Sequence, residues 1–157
     1  MERSETAGSD QVTIKVLGEL ESPAFLRLHR DAIDDGFGAL DRLVDDYRDG
    51  ANRFELPGEI LLSAWASDDL VGVCGLNVDP YTDRDQTGRI RRLYVRRDAR
   101  RRGIGRALVA AVESAAQANF NLLRLRTDDP NSAAFYVAQG YAEVDDPSAS
   151  HEKALGR

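Results

Sequence analysis

RIRRLYVRRDARRRGIGRALVAAVESAAQ, residues 89–117, is the stretch on which the reading of the chain turns. Arg89 to Val95 reads as a strand. Arg96 to Arg102 is a short arginine-rich loop leading into Gly103-Ile104-Gly105. From there Ile104, Leu108, Ala111, Val112 and Ala115 repeat at the spacing of one apolar helical stripe. The junction carries the chemistry. Glycines let a ligand approach the backbone closely. The first turn of a helix has unpaired N–H groups and a partial positive charge. A loop that enters a helix in this way is a ready anion site.

Charge sharpens this reading. Between Arg89 and Arg106 stand nine arginines and one acid, Asp98, whereas the whole chain carries −6. Such segregation points to a local anionic ligand rather than to a generally basic protein. The same arginines around a plain helix start would be a solvated basic surface, and the glycines favour the anion site.

Two phosphate-binding patterns fail here. A nucleoside-triphosphate loop needs G-x-x-x-x-G-K-[ST], and no such lysine is present. A dinucleotide fingerprint needs a third glycine where Leu108 stands. What remains is Arg100-x-x-Gly103-x-Gly105, preceded by Leu93-Tyr94-Val95 and followed by Arg106-Ala107-Leu108-Val109. This resembles the pyrophosphate-binding signature of the GNAT family of N-acetyltransferases, [QR]-x-x-G-x-[GA], flanks included. A second segment, Phe135-Tyr136-Val137-Ala138-Gln139-Gly140-Tyr141, looks like that family's [LF]-Y-x-x-x-G-[FY].

The 157 residues suffice for one domain with a proper core. Hydrophobic content of 42% and charged content of 31% are ordinary for a globular chain. No apolar run approaches the ~20 residues of a membrane span, and the expectation is no membrane partner. Residues 1–10 are polar with no apolar centre and read as a flexible tail rather than a secretory signal; residues 11–157 read as a single domain. Cys74 is the only cysteine, which excludes an internal disulfide. A cytoplasmic location is expected. The acidic balance argues against nucleic acid as the main partner.

Working outward, Gln11 to Leu17 reads as a strand. Ser22-Pro23 caps and opens a helix with Phe25, Leu26, Leu28 and Ile33 as its apolar positions. A second helix covers 39–48, with Leu40, Leu43, Val44 and Tyr47 on one side. Asp31, Asp34, Asp35, Asp41, Asp45, Asp46 and Asp49 make this pair acidic. They read as solvated faces, or as the lining of a pocket for a cationic acceptor. Glu59–Ala66 and Leu70–Val78 form a hairpin around Ser67-Asp68-Asp69. Its second strand is nearly continuously apolar, so it is expected to be buried on both faces, with Cys74 as a structural thiol. Asn121–Thr127 is a strand. Asp129 caps a helix over 130–139 that stops at Gly140. Strands at 141–144 and 151–155 end the chain. The order β-α-α-β-β-β-α-β-α-β-β gives an α/β (α+β) domain with a mixed sheet, and it is the order the resemblance implies.

The resemblance also implies roles. Acetyl-CoA would be the cosubstrate. Backbone N–H groups from Arg101 to Arg106, including Gly103 and Gly105, would hold its pyrophosphate, with charge from Arg100, Arg101, Arg102 and Arg106. The strand edge near Leu93 and Val95 would bond the pantetheine arm. The Val95 N–H would be the oxyanion donor. Tyr136 would be the general acid that protonates the leaving thiolate. An acetyl group would pass directly to a primary amine.

Two departures stand out. Many family members carry a glutamate base early in the central strand, where this chain has Gly88-Arg89. Asp79, Tyr81, Asp83 and Asp128 are the alternatives, together with bulk-like water in place of a dedicated base. Many also carry a pantetheine-binding asparagine seven residues before the tyrosine. Asp129 takes that register here, with Asn131 close by, and both are candidates. His29 and His151 lack metal-ligand spacing, so no metal is expected. A homodimer is common in the family. The missing glutamate keeps open a rival reading, a non-catalytic acyl-CoA-binding module. A nucleic-acid binder using the arginines is a more distant one.

Overall fold

A segment as apolar as LVGVCGLNV has to be covered on both faces, and it is. The computed structural model describes residues 11–156; the tail read at 1–10 lies outside them. Seven strands, β1 (Thr13–Val16), β2 (Ile60–Ala66), β3 (Asp69–Val78), β4 (Thr87–Val95), β5 (Leu122–Leu125), β6 (Ala142–Asp146) and β7 (Ala149–Ala154), form one sheet. Its order is β1-β2-β3-β4-β5-β7-β6. Helices α1 (Pro23–Asp34) and α2 (Ala39–Asp49) cover one face, α3 (Ile104–Ala116) and α4 (Pro130–Ala138) the other. The element order and the mixed sheet match the sequence reading.

Each face has its own core. Ile104, Leu108, Val109 and Val112 of α3 pack on Leu62, Val71, Leu76, Ile90 and Leu123. Phe25, Leu28, Leu40 and Leu43 of α1 and α2 pack on Leu61, Leu70, Val73 and Tyr94. Burial of each such side chain stabilises by about 1.5–3 kcal/mol. In α1 the buried stripe is Phe25, Leu28 and Ala32. The expected Leu26 and Ile33 are 52% and 50% exposed, because they lie roughly 100° off that stripe. In α3, Val109 and Ala116 are buried, whereas Ala111 and Ala115 are only half-buried. The final hairpin is longer than expected. Asp146 accepts from the Ser148 N–H at 2.8 Å and tightens the turn, so pairing extends almost to it.

The decisive feature is where the sheet opens. β4 and β5 are the parallel pair, and they register only at Thr87, Gly88 and Arg89 with Leu122, Leu123 and Arg124. β4 then runs on to Val95 while β5 ends at Leu125. The last shared pair is pinned by Asp79. Its Oδ2 accepts from Arg89 Nη1 at 3.5 Å and Arg124 Nη1 at 3.3 Å. Beyond that point β4 also carries a bulge. Tyr94 registers with Val73 but Arg91 with Gly75, so Arg92 and Leu93 face Cys74 alone, and Arg92 takes φ +62°.

α1 docks on β4 through Asp31. Its carboxylate accepts from Tyr94 Oη at 2.6 Å, the Arg97 N–H at 3.0 Å and Arg97 Nε at 3.1 Å. Burial raises the Asp31 pKa, but these donors together outweigh it and hold the carboxyl below the usual range.

Two outcomes follow from this packing. A methyl at Gly75 would sit 2.3 Å from Phe54 Cε1 and 3.2 Å from the Arg91 carbonyl. Gly75→Ala is therefore expected to cost roughly 1–3 kcal/mol, read as a lower denaturant midpoint at unchanged slope; an unmoved midpoint would mean the ring yields freely. Asp31 has a depressed folded pKa, so its contribution is present above the unfolded value of about 3.9 and disappears as pH falls through the folded one. Asp31→Asn should be less stable than the parent at pH 7, and the gap should close below about pH 4. A gap independent of pH would show that the carboxylate charge does not hold α1 in place.

Candidate active site

The site forms where β4 outruns β5. Arg96 N–H donates to the Val71 carbonyl at 2.8 Å. The adjacent register pair, Gly72 with Val95, is therefore of the non-hydrogen-bonded kind, and the Val95 N–H and C=O point away from β3. They face the side that β5 has vacated. Arg100 Nε reaches the Val95 carbonyl there, at 2.9 Å. The side chains of Leu93 and Val95 pack against the α3-side core, leaving the strand edge as backbone.

After β4 comes a 3-10 turn, Arg97–Ala99, and then the loop. Arg101 at φ +67° and Gly103 at φ +79° are left-handed, and α3 starts directly after Gly103 with no side-chain cap. Left-handed residues alternating with extended or helical ones turn successive N–H groups inward, which makes an anion-binding concavity. Among the described residues, no acceptor bonds the N–H groups from Arg101 to Arg106. A Cβ on Gly105 would lie 3.5 Å from Phe135 Cζ and 3.8 Å from Val95 Cγ2, ordinary contact distances, so alanine fits there as the [GA] pattern allows. Glycine at 103 is instead required by its φ. These unpaired donors suit a diphosphate, and the open backbone of β4 suits an amide-bearing arm.

Eight of the nine arginines divide into two groups, and Arg91 stands apart from both. Arg89, Arg92, Arg96, Arg97 and Arg100 pair with Asp79, Asp46, Asp98, Asp31 and Asp35. Arg101, Arg102 and Arg106 are exposed and have no ion-pair partner among the described residues. Arg100, expected among the cofactor-binding residues, belongs to the paired group. Its guanidinium is bound to Asp35 at 2.7 Å and to the Val95 carbonyl, so it braces the loop from within. The acids of α1 and α2 change meaning as well. Asp31, Asp35 and Asp46 neutralise β4 and its loop, and do not line a free cation pocket.

Tyr136 sits on α4, whose Phe135 lies over Gly105 at the start of α3. Its ring is 6% exposed and is held edge-on by Phe135 at 5.1 Å and Tyr141 at 5.5 Å. Its hydroxyl has no hydrogen-bond partner among the described residues. Burial, with a smaller effect of the nearby Cys74, raises its pKa well above that of a free phenol. The Cys74 thiol itself is pushed up to about 12 by burial, as a structural cysteine requires. Tyr141 is fixed in turn. It donates to Glu113 at 2.8 Å, and Lys153 joins Glu113 at 3.1 Å and the Gln139 carbonyl at 2.9 Å.

Asp129 caps α4, accepting from the Ser132 N–H at 3.0 Å, while Asn131 is exposed. Of the candidate bases, Asp79 is enclosed by two guanidiniums and the Tyr81 N–H. Tyr81 lies under Arg89, its ring centroid 4.6 Å from Cζ, and Asp128 is paired with Arg126 at 3.5 Å. Asp83 is exposed in the β3–β4 loop. A separate concavity of about 470 Å³ beside Glu19 and Tyr47 shares no residue with this site. The bulge at Arg92, the brace on Tyr141 and the contact of Phe135 with Gly105 shape the site but leave no local sequence signal, since each joins segments far apart in the chain.

A sequence profile of the acetyltransferase (GNAT) family matches residues 24–141. No curated protein matches. Among solved structures, a protein from Exiguobacterium sp. 255-15 with a provisional acetyltransferase designation is 26% identical, with a TM-score of 0.81 over 92% of this chain and 93% of its own. Ribosomal-protein-alanine N-acetyltransferase from Brucella melitensis shares the fold at 22% identity, TM-score 0.64, over 91% and 99% of the two chains. So does PaiA N-acetyltransferase from Thermoplasma acidophilum, in complex with coenzyme A, at 17% identity, TM-score 0.65, over 92% and 99%. With an opened sheet, an unpaired N–H loop at the end of its central strand and a profile match over most of its length, the chain belongs to the GNAT acetyltransferase family.

Proposed function

We propose that the protein is an acetyl-CoA-dependent N-acetyltransferase that passes the acetyl group directly to a primary amine. One observation carries the reading: unpaired backbone N–H groups from Arg101 to Arg106 lie at the end of a strand whose edge is open, with Tyr136 on the adjoining helix. The thioester supplies the activated acetyl group. The N–H groups of the loop bind the diphosphate, and Arg101, Arg102 and Arg106 add charge around it. The open edge at Leu93 and Val95 aligns the pantetheine as an added strand, and Asp129 or Asn131 meets its far side. The Val95 N–H donates to the carbonyl oxygen as that oxygen gains charge. Attack by a neutral amine is favoured by holding both reactants together.

Tyr136 then gives its proton to the departing sulfur. Its raised pKa keeps it protonated through the physiological range, and the buried ring is aimed by Phe135 and Tyr141. β4 itself carries no carboxylate and Asp79 is enclosed by Arg89 and Arg124, so the amine's proton passes to water. The reaction takes place in the cytoplasm.

Release of free thiol from acetyl-CoA against a panel of amines tests the reading. Binding of acetyl-CoA without turnover across the panel would favour a non-catalytic module instead. Tyr136→Phe should lower kcat by roughly 100-fold with a much smaller change in KM; an unaltered kcat would remove its role as acid. Gly103→Val forces a β-branched residue to positive φ and should raise KM for acetyl-CoA at least tenfold; unchanged affinity would remove the diphosphate loop from the account.

A further inference from the structure

Resting on that transferase reading, we propose that the acceptor amine carries a carboxylate, which Arg91 and Arg92 hold on the α1–α2 face of β4. The bulge creates the site. Ile90 packs on the α3 side, so Arg91 points to the opposite face. Arg92 at φ +62° breaks the alternation and turns to the same face, where its Nη2 meets Asp46 of α2 at 3.3 Å. Two adjacent guanidiniums therefore share one side of the strand. Arg42 stands one turn before Asp46 on α2 and faces the same place. Arg91 and Arg42 are both close enough to repel Arg92, which alone is bonded to Asp46.

Arg92 is not satisfied by this arrangement. Its side chain is 9% exposed, and its Nε is buried with no hydrogen-bond partner. Burial first, then repulsion from Arg91 and Arg42, lowers its hold on its proton, and Asp46 restores only part of it. Arg91 is half-buried and has no hydrogen bond or ion pair among the described residues. A buried donor without an acceptor is costly, and a pair of guanidinium forks matches a planar carboxylate. Asp46 meets that guanidinium through Nη2 alone, which leaves Nε without an acceptor.

The location fits an acceptor. β4 rises about 3.3 Å per residue, so Arg92 lies roughly 10 Å along the strand from Val95. On the β5 side this part of β4 has no neighbouring strand, because β5 parts from it after Arg124. An amine could reach through the opening while its carboxylate stays with the arginines.

Thiol release is measured with proteinogenic amino acids, each beside its carboxamide, with phosphoethanolamine and putrescine as further arms. The expected result is at least one amino acid preferred over its amide about tenfold or more in kcat/KM, with Arg91→Gln erasing the preference. Equal use of acid and amide, or a preference for phosphoethanolamine or putrescine, would overturn the carboxylate assignment while leaving the transferase intact. The same compounds are titrated calorimetrically into protein saturated with coenzyme A. Carboxylate-selective binding that is lost in Arg91→Gln, without turnover, would uphold the site and sink the transferase reading. Neither turnover nor selective binding would overturn both.

Discussion

The structure depends on one carboxylate between two arginines. Arg89 and Arg124 are the last residues at which β4 and β5 register, and they would place like charges side by side in the interior. Asp79 accepts from both, and its remaining oxygen accepts from the Tyr81 N–H at 2.8 Å. Arg124 is further held by Asp146 at 3.0 Å, while its Nε lies 3.2 Å from Glu152, close enough for charge attraction but poorly angled for a hydrogen bond. Arg124 would keep Asp146 and Glu152 if Asp79 were removed, but Arg89, 7% exposed, has no other anionic partner among the described residues, and its interior charge would be left uncompensated at a cost of about 3–5 kcal/mol. The network closes the sheet at one level and lets it part at the next. The candidate site exists because the pinning stops there.

The charge pattern has a second layer. Along the chain, arginines collect in residues 89–106 and acids in α1 and α2, as though serving separate ligands. In space much of the two groups is paired. Asp31, Asp35 and Asp46 fasten the helices to β4 and its loop, leaving Arg101, Arg102 and Arg106 at the helix start and Arg91 on the other face. The surplus positive charge is divided between the two faces of the opened sheet.

This explains what could be read without coordinates. The loop and α3 were legible because their signal is local: glycines at fixed offsets, an apolar stripe, a strand before them. Ser22-Pro23 and Asp129-Pro130 marked their helices for the same reason, and both side chains cap as expected. The bulge was not legible, because Arg91-Arg92 looks the same in a regular strand. The binding of Arg100 by Asp35 joins positions too distant in sequence for any motif to reveal. Leu26 and Ile33 passed as core because apolarity alone does not say which side of a helix is covered.

Cys74 gives the buried strand a further property. Under the proposed reaction a thioester is bound beside this core, and a reactive cysteine nearby would take its acetyl group by thiol–thioester exchange, releasing coenzyme A without acetylating the amine. Exchange requires an accessible thiolate. Cys74 is fully buried, and its proton is held to about pH 12. The catalyst is thereby shielded from acetylation of its own thiol by the donor it uses.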